Sequence, residues 1–171
     1  MPTITLLGTG TCQIEAERRA SSVLLDLEDT YILFDCGHGV AQRLLEAGVR
    51  HHQLQHIVLS HFHPDHVSDI VPLLQAGAWS QRDPRTTDIH IYGPPGLQKI
   101  IDGLLQIFGP RALQQPSYNI VVHEVTQQHF EIGAITSISS ACRPLAIMGC
   151  VLSGMRSAMP SLATLIFTTE K

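Results

Sequence analysis

The chain has 171 residues, of which 44% are hydrophobic, 15% charged and 5% aromatic, and its formal net charge is −4. This composition is typical of one compact domain with a buried core, and it excludes a collagen-like repeat, a coiled coil or a disordered chain. The acidic balance lacks the excess of Lys and Arg that binding along a nucleic-acid backbone generally requires. We therefore treat residues 1–171 as a single domain.

The sequence also restricts where the protein works. Its apolar runs are far shorter than the roughly 18 residues that cross a bilayer, and no basic segment precedes an apolar stretch at the N-terminus. We expect a cytoplasmic protein without a membrane partner. The four cysteines form no C-x-x-C pair, so they are interpreted as reduced thiols: Cys12, Cys36, Cys142 and Cys150.

Hydrophobic periodicity predicts alternating strands and helices over the first two thirds of the chain. In order these are strand 4–7, hairpin strands 23–27 and 31–34, helix 40–47, strand 56–60, helix 67–78, strand 89–92 and helix 97–108. Beyond residue 118 the pattern predicts strands 120–125, 130–139, 145–152 and 162–168. An α/β half followed by a mostly β half indicates an α/β (α+β) protein.

Histidine is the one anomaly of composition, with ten residues in the chain and five of them between His51 and His63. Four potential metal ligands, His61, His63, Asp65 and His66, occupy six positions directly after a predicted buried strand. On an extended backbone His61 and His63 point to the same side, as two ligands of one ion must. The other two residues come at the turn into the next helix and face a neighbouring position.

This arrangement suits two ions side by side, about 3.5–4 Å apart in two-metal hydrolases. Imidazole and carboxylate ligands favour zinc, while manganese or iron stays open. The competing interpretation is a solvated polar loop, which for a single histidine would be the better explanation. Four donors in H-x-H-x-D-H spacing after a strand make the metal site the preferred hypothesis.

The cluster and its surroundings resemble one protein family. The segments are 7–10 (LGTG), 34–39 (FDCGHG), 59–66 (LSHFHPDH) and 91–94 (IYGP). Together they resemble the ribonuclease Z-like branch of the metallo-β-lactamase superfamily, which includes transfer RNA 3′-processing enzymes and other phosphodiesterases. The resemblance extends from residue 4 to about residue 108 and thins beyond that.

The resemblance implies a four-layer αββα sandwich with a two-metal site at one edge of its sheets. His61 and His63 would hold the first ion, and Asp65 and His66 the second. A metal-bound hydroxide would then attack the phosphorus of a phosphodiester, with Asp65 also handling the proton. Asp35 would orient the metal-binding loop by hydrogen bonds, although a carboxylate in an ordinary strand-end turn is an equal alternative for Asp35.

The family pattern is incomplete after about residue 140. A complete site needs a third His for the first ion, a bridging carboxylate and a last His for the second ion. Cys142 stands about where the third His is expected, and Glu170 is the candidate for the bridging carboxylate. A thiolate can bind zinc, but a buried free Cys is the commoner case. His123 and His129 are alternative donors, although core or surface positions suit them better.

Two functions follow as hypotheses. The first is a metal-dependent hydrolase that cleaves phosphodiester bonds in RNA or in a small cyclic or nucleotide ester. The second is a truncated or degenerate member of the fold that binds one ion or none and serves as an oligomeric binding or structural remnant. Sheet edges left unpaired by missing strands would favour a homodimer in either case. A β-lactam or thioester hydrolase is a third, less favoured interpretation.

Overall fold

The structure is a computed structural model that describes residues 2–125 in full and the backbone of residues 129–132, 135–139 and 167–168. The predicted strand 145–152 and residues 162–166 of the predicted strand 162–168 lie outside the described residues. Among the described residues, no helix is both long and apolar enough to cross a bilayer.

The described residues form one mixed sheet of seven strands. The strands are β1 (Thr3–Gly8), β2 (Ser22–Asp26), β3 (Tyr31–Phe34), β4 (Leu54–Val58), β5 (Ile89–Gly93), β6 (Ile120–Glu124) and β9 (Phe167–Thr168). Their order across the sheet is β6-β5-β4-β3-β2-β1-β9. A separate hairpin consists of β7 (His129–Ile132) and β8 (Ile135–Ser139). Strand β2 runs antiparallel to its two neighbours, β1 and β3, whereas β3, β4, β5 and β6 run parallel to one another.

Helices make the crossovers that parallel strands require. They are α1 (Val40–Glu46), α2 (Pro64–Val67), α3 (Ile70–Trp79), α4 (Leu97–Phe108) and α5 (Pro110–Leu113). Because β3 to β6 are parallel, their carboxyl ends meet at one edge of the sheet, and the loops that follow them share that edge. The histidine-rich segment is the loop after β4.

The hydrophobic core lies between the helices and one face of this sheet. Leu33, Ile57 and Ile91 are in register across β3, β4 and β5, and each is fully buried. They pack in one cluster with apolar residues of the helices, including Val40 and Leu74. Successive side chains of a strand point to opposite faces. The residues directly before and after these three on each strand therefore belong to the other face of the sheet.

Most of the predicted elements are confirmed, with two differences. The predicted helix 67–78 is two helices, because the backbone N–H of Asp69 donates to the Cys36 carbonyl and the Asp69 carboxylate accepts from the N–H of Ala41. These long-range bonds fix the junction between α2 and α3. The predicted strand 130–139 is instead the hairpin of β7 and β8. The α/β class itself is confirmed.

A histidine array, which we define as His56, His90, Tyr92 and His123, lies on the sheet face turned away from the core. Nδ1 of His90 and Nε2 of His123 are 3.0 Å apart, with ring centroids at 5.3 Å and planes within 21°. Those values describe two nearly coplanar rings joined head to head by one N–H···N hydrogen bond. The ring of His123 stacks on Tyr92 at 4.3 Å.

Burial makes the array sensitive to acid. Desolvation, together with repulsion from His90 and His123, lowers the pKa of His56 from 6.5 to about 4. Burial and then His90 also lower the pKa of His123. The folded state therefore favours neutral imidazoles, whereas the unfolded chain takes up protons near pH 6.5.

We expect the free energy of unfolding to fall as the pH drops from 6.5 to 4, and the decrease to be smaller in His56→Gln. The contribution of this half-exposed group is about 1 kcal/mol once screening by water is allowed for. Urea unfolding at several pH values measures it. A His56→Gln curve that differs from the parent curve only by a constant offset would contradict the assignment.

Candidate metal centre

The candidate centre forms where the loops after β3 and β4 meet at the carboxyl edge of the sheet. The N–H of Asp35 donates to the Val58 carbonyl at 2.9 Å, and the N–H of Cys36 donates to the His66 carbonyl at 2.8 Å. His63 has extended backbone angles, as the following Pro64 predicts, and it immediately precedes helix α2. The loop is therefore held by the backbone at both of its ends.

The four predicted ligands lie together in this loop. The ring centroids of His61 and His63 are 4.6 Å apart, and those of His61 and His66 are 4.1 Å apart. Nε2 of His66 is 3.4 Å from Oδ2 of Asp65. His63 is exposed, whereas His66 is buried, so the cluster extends from the surface into the protein.

The buried carboxylate of Asp35 connects the two loops. Its Oδ1 accepts the backbone N–H of Ser60 at 2.8 Å, and its Oδ2 accepts the Ser60 hydroxyl at 2.8 Å. The same Oδ2 lies 2.7 Å from Nδ1 of His66. An ionised carboxylate only accepts hydrogen bonds, so Nδ1 of His66 carries a proton, and Nε2 lies on the side of Asp65.

Asp35 adopts a backbone conformation that few residues tolerate. Its φ is 56°, in the left-handed region where Asp and Asn are the most frequent residues after Gly. The Ser22 hydroxyl lies within hydrogen-bonding distance of the carbonyl oxygens of Asp35 and Phe34, at 2.8 and 3.1 Å. This turn directs the carboxylate toward the histidine loop.

Two further groups in the centre have perturbed acidity. Burial and the neighbouring His66 lower the pKa of His61, with a smaller opposing effect of Asp35, so the imidazole is neutral at pH 7 and able to bind a metal. Burial raises the pKa of the Cys36 thiol well above its usual value, and the carboxylates of Asp69 and Asp35 raise it further. Cys36 is therefore an unreactive packing residue.

Gly37 allows the two loops to make contact. A Cβ at this position would overlap the backbone carbonyl of Asp65 and would press on Ala20. Its neighbour Gly39 has φ 81° and leads into helix α1. The glycines of the FDCGHG segment thus serve close approach and a left-handed turn.

The donor set fits a divalent ion in part. Two ligands of a tetrahedral zinc with bond lengths near 2.05 Å lie about 3.3 Å apart. The 3.4 Å between His66 Nε2 and Asp65 Oδ2 matches that separation. Across the described residues, however, no group of three His, Cys, Asp or Glu side chains is arranged to hold one ion. The loop thus offers one pair of donors at ligand spacing, and a tetrahedral centre requires further ligands.

Of the other predicted donors, His123 is the one whose side chain belongs to the described part of the chain. Cys142 and Glu170 lie outside the described residues, and their ligand roles stay predictions. His123 is engaged by His90 and Tyr92 in the histidine array on β6. His129 begins strand β7, and its side chain is outside the description.

Sequence reasoning missed one residue of the centre and one cluster outside it. Ser60 was part of the quoted motif, yet no role was predicted for its hydroxyl, which contacts both Asp35 and His61. The histidine array was also missed, because its members become neighbours only once the register of the parallel strands is known. A signal existed in the shared spacing of two residues between His90 and Tyr92, which places both on one strand face.

Comparisons with known proteins agree with this fold and loop. The chain is 34% identical over 125 residues to the protein named Ribonuclease Z from Streptococcus uberis, covering 71% of this chain and 39% of that protein. The crystal structure of human tRNase Z, short form, superposes with a TM-score of 0.60 at 31% identity, covering 72% of this chain and 45% of that one.

A second solved structure is the metallo-β-lactamase fold protein YhfI from Bacillus subtilis, with a TM-score of 0.60 at 26% identity. The match covers 79% of this chain and 51% of that one. This chain therefore spans about half the length, or less, of the relatives that it matches.

The fold and the histidine loop define a ribonuclease Z-like protein of the metallo-β-lactamase superfamily, which confirms the predicted resemblance and fold. More specifically, residues 2–105 match the family described as Anti-Pycsar protein Apyc1, and the chain belongs to that family.

The close packing around Gly37 predicts that adding a methyl group at this position lowers stability and weakens zinc binding. Gly37→Ala is expected to displace the Asp65 backbone, to lower stability by about 1–3 kcal/mol through overpacking, and to weaken zinc binding. Thermal unfolding and a zinc titration with a chromophoric competitor measure the two effects.

Gly103→Ala is the matched control, because a Cβ there meets nothing within 4 Å in the middle of α4. It is expected to raise stability by about 0.5–1 kcal/mol and to leave zinc binding unchanged. Equal zinc affinity in Gly37→Ala and the parent would show that the loop contact does not position the donors.

Proposed function

We propose that this protein is a metal-dependent hydrolase of the ribonuclease Z-like type that cleaves phosphodiester bonds. The observation that carries the proposal is the histidine loop itself, with His66 and Ser60 anchored on the buried carboxylate of Asp35. A loop built only for solubility does not need a buried carboxylate that orients its imidazoles. Membership of the family and similarity to ribonuclease Z proteins support the same reaction class.

In this proposal His61 and His63 hold a first ion, and Asp65 and His66 hold a second. Nitrogen and oxygen donors favour zinc, and manganese or iron are the alternatives. When bound, such ions polarise the phosphodiester and acidify water.

Proton transfer and the orientation of the metal ligands are assigned to residues of the chain. The carboxylate of Asp65 would accept the proton of the attacking water as a general base and then donate it, as a general acid, to the oxygen of the leaving group. Asp35 keeps Nδ1 of His66 protonated, so that Nε2 faces the centre. Neutral His61 offers a lone pair without first losing a proton, because burial has already lowered its pKa.

Completion of the centre belongs to the proposal as well. We propose that Cys142 and Glu170 are weak candidates for the further ligands, and that a partner chain is the alternative source. A homodimer in the cytoplasm is the assembly we expect. The chain spans 39% of the Streptococcus uberis relative.

The substrate is an RNA or a small cyclic or nucleotide ester. Proteins named Ribonuclease Z and tRNase Z among the relatives favour RNA. The net charge of −4 favours a small ester, because an acidic chain repels an extended phosphate backbone. Parallel assays with a precursor transfer RNA and a cyclic mononucleotide distinguish the two substrates.

One observation favours a second candidate function, which is a non-catalytic remnant of the fold. No group of three donors is arranged for one ion within the described residues. The number of zinc equivalents bound per chain separates the two candidates. Two zinc equivalents per chain would support the hydrolase, whereas zero equivalents would support the remnant.

The hydrolase is tested by turnover of bis(p-nitrophenyl) phosphate with added zinc or manganese. We expect metal-stimulated activity, and we expect His63→Ala to lower it by at least about 100-fold. Loss of a residue that only hydrogen-bonds a metal ligand already lowers activity by up to about 100-fold, and His63 is itself a proposed ligand. His63 is exposed, so the substitution preserves the core.

His52→Ala, in the turn before β4, is the control and should keep its activity. Absence of metal-stimulated turnover in the parent, or equal turnover in parent and His63→Ala, would overturn the proposed function.

A further inference from the structure

Ser60 occupies the position between the anchoring carboxylate and the first histidine of the loop. Its Oγ is 2.8 Å from Oδ2 of Asp35 and 2.9 Å from Nδ1 of His61. We infer that Ser60 is a positioning residue that fixes the tautomer of His61, so that Nε2 is the ligand atom. The inference deepens the proposed function and rests on it, since it concerns ligands of the same centre.

The direction of each hydrogen bond follows from counting protons. A serine hydroxyl has one proton to donate, and an ionised carboxylate can only accept. The proton of Ser60 therefore goes to Asp35, and only a lone pair of Oγ is left for His61. Nδ1 of His61 must then be the donor, which places its proton on Nδ1 and leaves Nε2 as a lone pair.

In this arrangement one carboxylate, that of Asp35, orients two of the proposed metal ligands. It acts directly on His66 and through Ser60 on His61. In the proposed assignment these two histidines bind different ions. One carboxylate thus sets the ligand atoms of both ion positions, and Ser60 carries its effect to the first of them.

The backbone provides a way to isolate the hydroxyl. The N–H of Ser60 donates separately to Oδ1 of Asp35, and this bond does not need the side chain. Ser60→Ala therefore removes the connection to His61 while the loop keeps its attachment to Asp35. Ser60→Thr keeps a hydroxyl and serves as the rescue variant.

The matched control is Ser68→Ala. Ser68 is exposed and lies at the end of α2, four residues after Pro64, whose carbonyl accepts its backbone N–H. Its substitution also removes one serine hydroxyl near the loop, and it leaves the Asp35–Ser60–His61 connection intact.

The first measurement reads the tautomer without any reaction. Long-range ¹H–¹⁵N spectra of the metal-free, ¹⁵N-histidine-labelled full chain are recorded at pH 8, with His61 assigned from His61→Gln. We expect the Nδ1–H form in the parent, in Ser60→Thr and in Ser68→Ala, and a shift toward Nε2–H in Ser60→Ala. An Nε2–H form in the parent, or an unchanged form in Ser60→Ala, overturns the inference.

The second measurement is the affinity of each zinc equivalent. Loss of a group that orients a ligand weakens binding by about 10- to 100-fold. Ser60→Ala should weaken one equivalent by this factor, whereas Asp35→Asn should weaken both. Equal weakening of both equivalents by Ser60→Ala would contradict a role confined to His61.

The two proposals fail in different ways. A parent without metal-stimulated turnover, but with the expected tautomers, removes the hydrolase and leaves the role of Ser60 intact. Normal turnover with an unchanged His61 tautomer in Ser60→Ala removes the role of Ser60 and leaves the hydrolase intact.

Discussion

The hydrogen bonds accepted by the buried Asp35 carboxylate hold the candidate centre together. They join the turn after β3 to the loop after β4, and they determine which nitrogen of His66 is free. A carboxylate at this depth is stabilised only when its lone pairs are satisfied, and here the Ser60 N–H, the Ser60 hydroxyl and His66 satisfy them. These hydrogen bonds offset the conformational energy of the left-handed backbone at Asp35.

Local patterns were sufficient to predict most of the fold. Alternation and helical spacing located the hairpin of β2 and β3 and the crossover helices, because each element buries one face against the same core. The division between α2 and α3 could not be predicted locally. It depends on bonds from Asp69 to Cys36 and Ala41, which are distant in sequence.

The candidate centre was predictable in part, as the fold was: its loop could be located from the sequence, but the contacts around the loop could not. The spacing of His61, His63, Asp65 and His66 indicated a metal loop, since close neighbours in sequence must be close in space. The hydroxyl of Ser60 and the histidine array depend on strand register and side-chain direction, which no local pattern encodes. The ligand roles predicted for Cys142 and Glu170 would require contacts between distant parts of the chain, which local spacing does not encode.

The hydrogen bonds that hold the histidine loop come from residues 35–92, from the Asp35 carboxylate to the Tyr92 carbonyl, which accepts the N–H of Leu59. The four donors of the loop thus take their positions from contacts within one part of the chain. In evolutionary terms, sequence changes outside residues 35–92 can accumulate while these donors keep their geometry.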